Sequence, residues 1–77
     1  MDAEQLKALF GNSVRELRLE RDLTQEKFAE ATGLSVKYLG KIERGLASPS
    51  FSVIANLAEV LEVAPDELFK PRKSGFQ

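Results

Sequence analysis

An all-α chain of five short helices is what these 77 residues predict, and three observations carry that expectation. Apolar residues recur at i, i+4 and i+7 near the start and again from Phe51 to Leu61, as they do along one buried helix face. Helix-start residues Thr24, Ser35 and Ser50, and the breakers Gly33, Gly45 and Pro49, divide the chain between those runs. No segment carries the alternation of a strand.

Helix 1 is expected from Asp2 to about Arg21. Leu6, Phe10, Val14 and Leu17 form its buried stripe, while Leu9 and Leu19 lie off it and one or both should be exposed. Asp2 and Glu4 suit the positive end of the helix dipole. Gly11 costs about 1 kcal/mol relative to alanine in a helix and so marks a close helix–helix contact. Thr24 caps helix 2, Gly33 takes the left-handed turn after it, and Ser35 caps helix 3, which stops at Gly45. Ala29 lets the two helices approach, and Leu34, Leu39 and Ile42 seat the second on the core. Two helices crossing through such a turn make a helix-turn-helix. Ser50 caps helix 4, where Phe51, Ile54, Leu57, Ala58 and Leu61 repeat at helical spacing. Pro65 opens helix 5 at its first position. Residues 1–69 then form one domain and residues 70–77 a flexible tail.

Composition narrows the chemistry. Hydrophobic residues make up 43% of the chain, enough for a folded core in one small domain. With no cysteine and no histidine, a disulfide framework is excluded and a metal site is not expected. No glycine-rich phosphate loop and no carboxylates paired across a pocket are present, so neither an enzyme nor a cofactor is expected. No apolar run reaches the roughly 20 residues of a membrane span, and the acidic N-terminus is unlike a signal peptide; the expected location is cytoplasmic. Net charge is −1, but it is unevenly spread. Lys37, Lys41 and Arg44 stand against Glu43 alone between Gly33 and Asn56, whereas Glu59, Glu62, Asp66 and Glu67 form an acidic end with no base among them.

Helix 3 divides into two halves. Ser35, Tyr38, Leu39, Ile42 and Glu43 share one; Val36, Lys37, Gly40, Lys41 and Arg44 share the other. A basic face of low bulk can enter a phosphate-lined groove. The same pattern also suits a solvated charged face on a small bundle.

The motifs L-T-Q-E-K-F-A-E-A-T-G-L-S, Y-L-G-K-I-E-R-G, S-P-S-F, L-A-E-V-L-E-V and D-E-L-F, in order from about Phe10 to Phe69, resemble the phage-repressor or Xre-like family of helix-turn-helix regulators. The resemblance implies a five-helix lambda-repressor-like DNA-binding domain. It also implies the positions of contact. Ser35, Val36, Lys37 and Lys41 match base-facing positions, with Gly40 near the groove floor; Gln25, Tyr38, Arg44 and Ser48 match positions near backbone phosphates. Gln25 would also brace the first turn of helix 3, and Arg18 and Glu43 match a partly buried salt bridge between helices 1 and 3.

Two positions depart from the family pattern. Glu62 stands where glycine often ends helix 4, and Ala64 replaces the usual serine or aspartate cap of helix 5. The expected function is a sequence-specific transcriptional regulator that binds a palindromic operator on double-stranded DNA as a homodimer, with Val53, Ala64, Pro65 and Leu68 at the dimer interface. The alternative on the same fold is an antitoxin or protein-interaction module.

Overall fold

The computed structural model describes residues 1–72 and arranges them as four α-helices and one 3₁₀ turn: α1 (Ala3–Glu20), α2 (Gln25–Thr32), α3 (Val36–Glu43), α4 (Phe51–Leu61) and Pro65–Phe69. No strand occurs among the described residues. Each α-helix begins on a residue whose side chain takes over an orphan amide. At α1 the cap is reciprocal. The Gln5 amide donates to Asp2 Oδ1 at 2.8 Å, and the Asp2 amide donates to Gln5 Oε1 at 3.0 Å. Thr24, Ser35 and Ser50 accept from the amides of Lys27, Tyr38 and Val53.

The core is built from Phe10, Val14, Leu17, Phe28, Leu39, Ile42, Leu57, Leu61 and Leu68, all buried. The α1 stripe holds from Phe10 onward but not before it. Leu6, expected on the stripe, is exposed; of the two off-stripe leucines Leu19 is exposed and Leu9 is buried. The C-terminal segment packs along this part of α1. Ser13, one turn beyond Leu9 on the same line of α1, donates through Oγ to the Lys70 carbonyl at 2.7 Å, and the Phe69 ring lies 5.0 Å from that of Phe10. Covering α1 from this side widens its buried face past the simple stripe.

The expected fifth helix is a 3₁₀ turn. Ala64 supplies no side-chain cap, and Pro65–Phe69 is too short to recover the cost of nucleating an α-helix. The start of the expected tail makes contacts with α1. Lys70 is tied through its carbonyl to Ser13, and Arg72 reaches Glu20 at 3.1 Å. The Lys70 ammonium is held above the ordinary lysine range by its hydrogen bond to Glu67, by the charge of Glu67, and then by Asp66. The rest of the expected tail, 73–77, lies outside the described residues.

Two contacts set the position of the helix pair α2–α3. Gly33 ends α2 with φ 78°, turning the chain sharply into Ser35. On α1, a Cβ at Gly11 would collide with the Ile42 carbonyl and stand 3.0 Å from that of Glu43. The end of α3 therefore rests backbone to backbone on α1. From the far side, Asn56 of α4 donates to the Thr32 carbonyl at 2.7 Å and fixes the end of α2.

Glu62 closes α4 with φ 60° and ψ 43°, a left-handed conformation that costs a non-glycine residue roughly 1–2 kcal/mol. Glycine avoids that strain but loses more freedom on folding. Glu62→Gly is therefore expected to stabilise the fold by about 0.5–1 kcal/mol, measured by urea denaturation. An unchanged or lower midpoint would mean that the turn is not strained.

Candidate nucleic-acid interface

Helix α3 turns one face to the core and the other to solvent. Leu39 and Ile42 are fully buried, and Tyr38 packs its ring partly against the core, with no hydrogen bond to its hydroxyl among the described residues. Val36, Lys37, Lys41 and Arg44 are exposed on the outer half of the helix, and Ser35 is exposed at its N-terminal end, in line with the buried half. Gly40 differs from expectation. It lies on this side of the helix yet is buried, because the Arg44 side chain folds over it.

The charge pattern separates this surface from the remainder of the molecule. Lys7, Arg15, Arg18, Arg21, Lys70 and Arg72 each pair with a carboxylate. Lys37, Lys41 and Arg44 have no carboxylate partner among the described residues, and neither has Lys27 in the first turn of α2. Among the described residues, the cations without an ion pair all belong to α2, α3 and the residue that ends α3. Lys37 and Lys41 sit one turn apart, where like charges repel and weaken an isolated helix. Lys41 recovers some of this from the negative end of the helix dipole. Lys27 was not apparent in the sequence as part of this set, because Glu26 and Glu30 lie close to it along α2 and only the side-chain geometry leaves it without an ion pair.

A buried polar hub holds the surface in place. Arg18 donates from Nε to Glu43 Oε2 at 2.7 Å, from Nη2 to Glu43 Oε1 at 3.1 Å, and from Nη1 to the Leu23 carbonyl at 2.7 Å. Both charged side chains are almost wholly removed from water. Gln25 completes the hub, donating from Nε2 to Glu43 Oε1 at 3.1 Å. The expected bracing by Gln25 is thereby relocated. It reaches the last residue of α3, not the first turn, because α2 starts beside the point where α3 meets α1. With its side chain so engaged, what α2 offers outward at this end is the orphan amides of its first turn.

The remaining expected positions are scattered. Ser48 is exposed in the loop after α3 and, with Pro49, forms part of the rim of an apolar hollow of about 260 Å³ between the starts of α1 and α4. Of the expected dimer residues, Ala64 and Pro65 are exposed and Val53 is half-buried. Leu68 is fully buried in the protein's own core and is unavailable to a partner. Phe51, expected on the core face of helix 4, is instead 89% exposed at the edge of the hollow, with Leu6 and Phe69 beside it. Its place in the first turn of α4 carries it past the end of the core. No group of acidic, histidine or cysteine side chains suited to a metal ion occurs among the described residues.

Comparison with known proteins decides the family. Residues 14–68 match the helix-turn-helix family HTH_3. The chain belongs to the HTH_3 family of helix-turn-helix transcriptional regulators. It is 44% identical over 73 residues to the uncharacterized HTH-type transcriptional regulator YazB of Bacillus subtilis, covering 95% of this chain and all of YazB. The cryptic phage CTXphi transcriptional repressor RstR of Vibrio cholerae is 35% identical over 78% of this chain and 54% of its own length. Among solved structures, the restriction-modification controller protein C.AhdI of Aeromonas hydrophila superposes with a TM-score of 0.83 at 39% identity, covering 90% of this chain and all of C.AhdI. These relatives are regulators, a class that binds and does not catalyse. No helix among the described residues is long and apolar enough to cross a membrane.

The hub gives this HTH_3 domain a point of failure. Glu43→Gln keeps the shape but leaves the buried Arg18 without its counter-charge, and breaking such a pair costs about 3–5 kcal/mol. The expected result is a large fall in melting temperature. A variant that melts with the parent would show that the pair adds nothing to stability.

Proposed function

We propose that this chain is a sequence-specific DNA-binding transcriptional regulator that acts as a homodimer on a palindromic operator, with α3 of each copy in the major groove. In this reading residues 1–69 are the binding domain. The observation that carries it is the set of exposed, carboxylate-free cations Lys37, Lys41 and Arg44 on the outer face of α3. Cations elsewhere in the domain are neutralised at home. Those on α3 are left with a field that a polyanion satisfies.

The division of labour follows from reach and chemistry. Lys37 and Lys41 present ammonium groups to guanine O6 and N7, and Ser35, exposed at the N-terminal end of the helix, meets a base there. Val36, 38% exposed, offers a branched apolar surface that suits a thymine methyl. The free amides at the start of α2, with Lys27 close by in sequence, suit a backbone phosphate. The Tyr38 hydroxyl and Ser48 extend the contact along the strand, and Arg44 adds a third cation to the outer face of α3. These few cations neutralise few phosphates, so one copy would bind weakly and lose affinity quickly as salt rises. Two copies on half-sites about 34 Å apart overcome this.

Pairing is supported by the exposed Phe51 beside an apolar recess. An isologous contact places the same patch on both subunits, so a projecting ring and a hollow on one face are self-complementary. Leu6 and Phe69 add to that patch, and Ala64 and Pro65 remain open to contribute. Phe51→Glu is expected to sediment as a monomer and to lose binding to two half-sites while keeping its helical spectrum. A dimer that persists in this variant moves the interface elsewhere.

The reading face has its own test. Lys41→Ala should lower affinity for the preferred duplex by about 1–3 kcal/mol and relax base preference at one position, followed by fluorescence anisotropy. If Lys37→Ala and Lys41→Ala both bind as the parent does, α3 is not the reading element.

A further inference from the structure

Gly40 sits in the middle of an eight-residue helix, where glycine costs about 1 kcal/mol relative to alanine. Neither usual reason for such a glycine applies. Its φ is not positive, unlike those of Gly33 and Gly45. No backbone approaches it, unlike Gly11, which meets the carbonyls of Ile42 and Glu43. Among the described residues, the only atoms that a Cβ at Gly40 would meet belong to the Arg44 side chain, with Nη1 at 3.0 Å and Cζ at 3.9 Å. A methyl group there would press on the guanidinium and shift it from its seat.

The direction of that side chain has a consequence. Long side chains on a helix lean toward its N-terminus, over the residue one turn back. Arg44 ends α3, and a guanidinium lying over Gly40 is carried back by about one turn, roughly 5 Å. It then stands beside the line of Lys37 and Lys41 instead of beyond the helix end, where the loop would meet the phosphates. Arg44 has no carboxylate partner among the described residues, so no ion pair accounts for the fold-back.

We infer that Gly40 is a positioning residue whose bare Cα seats the Arg44 guanidinium on the reading face, making Arg44 a base-reading residue and not a phosphate contact. This rests on the DNA-binding reading above and sharpens it. A planar fork with two parallel donors matches guanine O6 and N7 better than either lysine does.

The test uses the full chain and duplexes selected from a random pool by the parent protein. Arg44→Ala should lower affinity for the selected duplex about tenfold or more and flatten preference at one base position. Gly40→Ala should flatten the same position with a comparable loss, while melting no lower than the parent. The double variant should lose no more than either single one. Arg44→Lys, which keeps the charge and not the fork, should keep the salt dependence and lose the base preference, and it decides the matter if Gly40→Ala fails to fold. The inference is overturned if Gly40→Ala binds like the parent, if the two losses multiply, if Arg44→Ala weakens all duplexes equally, or if Arg44→Lys keeps the preference. Should the parent select no sequence at all, the DNA-binding reading falls with it. Selection that depends on Lys41 but ignores Gly40 sinks this inference alone.

Discussion

The contact between α1 and the end of α3 governs the placement of everything functional in this domain. Gly11 removes the side chain that would hold the helices apart, and the Ile42 and Glu43 carbonyls settle against the α1 backbone. Arg18 and Glu43 then face one another across the seam and close it with two charge-assisted hydrogen bonds. A buried ion pair does little for net stability when weighed against apolar substitutes, and its better-attested use is to fix one arrangement among several. Here it fixes the rotation of α3. Glu43 must point inward, and the helix period then obliges Lys37 and Lys41 to point out.

The same geometry explains how a chain with net charge −1 belongs to a DNA-binding family. Total charge matters less than where neutralisation fails. Among the described residues, the cations of α1 and of Lys70 and Arg72 form ion pairs, and those on the outer face of α3 form none. Within a Debye length of about 8 Å at physiological salt, a bound strand feels the local cations more than distant acids such as Glu59 and Glu62.

Local features were legible in the sequence and tertiary ones were not. Thr24, Ser35 and Ser50 cap helices because a hydroxyl needs only its neighbours to do so, and the left-handed ends at Gly33 and Glu62 are equally local. Gly11 was readable because a helical glycine is costly enough to demand a partner. The exposure of Leu6, by contrast, is not contained in the stripe, and Phe51 is exposed because the core stops short of it. Leu68 reads as surface in a short polar segment and is fully buried because that segment lies down on α1 and α4. At the site, the outward set on α3 followed from helix period alone. The direction of Gln25 is a relation between elements, which no spacing rule contains, and the covering of Gly40 by Arg44 is a side-chain conformation at i, i+4 that spacing permits but does not fix.

Glu43 is shared by a guanidinium from α1 and an amide from α2, so three helices converge on one carboxylate. The first turn of α2 and the last of α3 are thus held at a set separation before any ligand arrives. A partner meeting this surface finds the backbone already ordered, and the freedom lost on association falls on a few long side chains. Recognition built in this way behaves as the docking of a preformed die, with fit decided by shape and charge in advance.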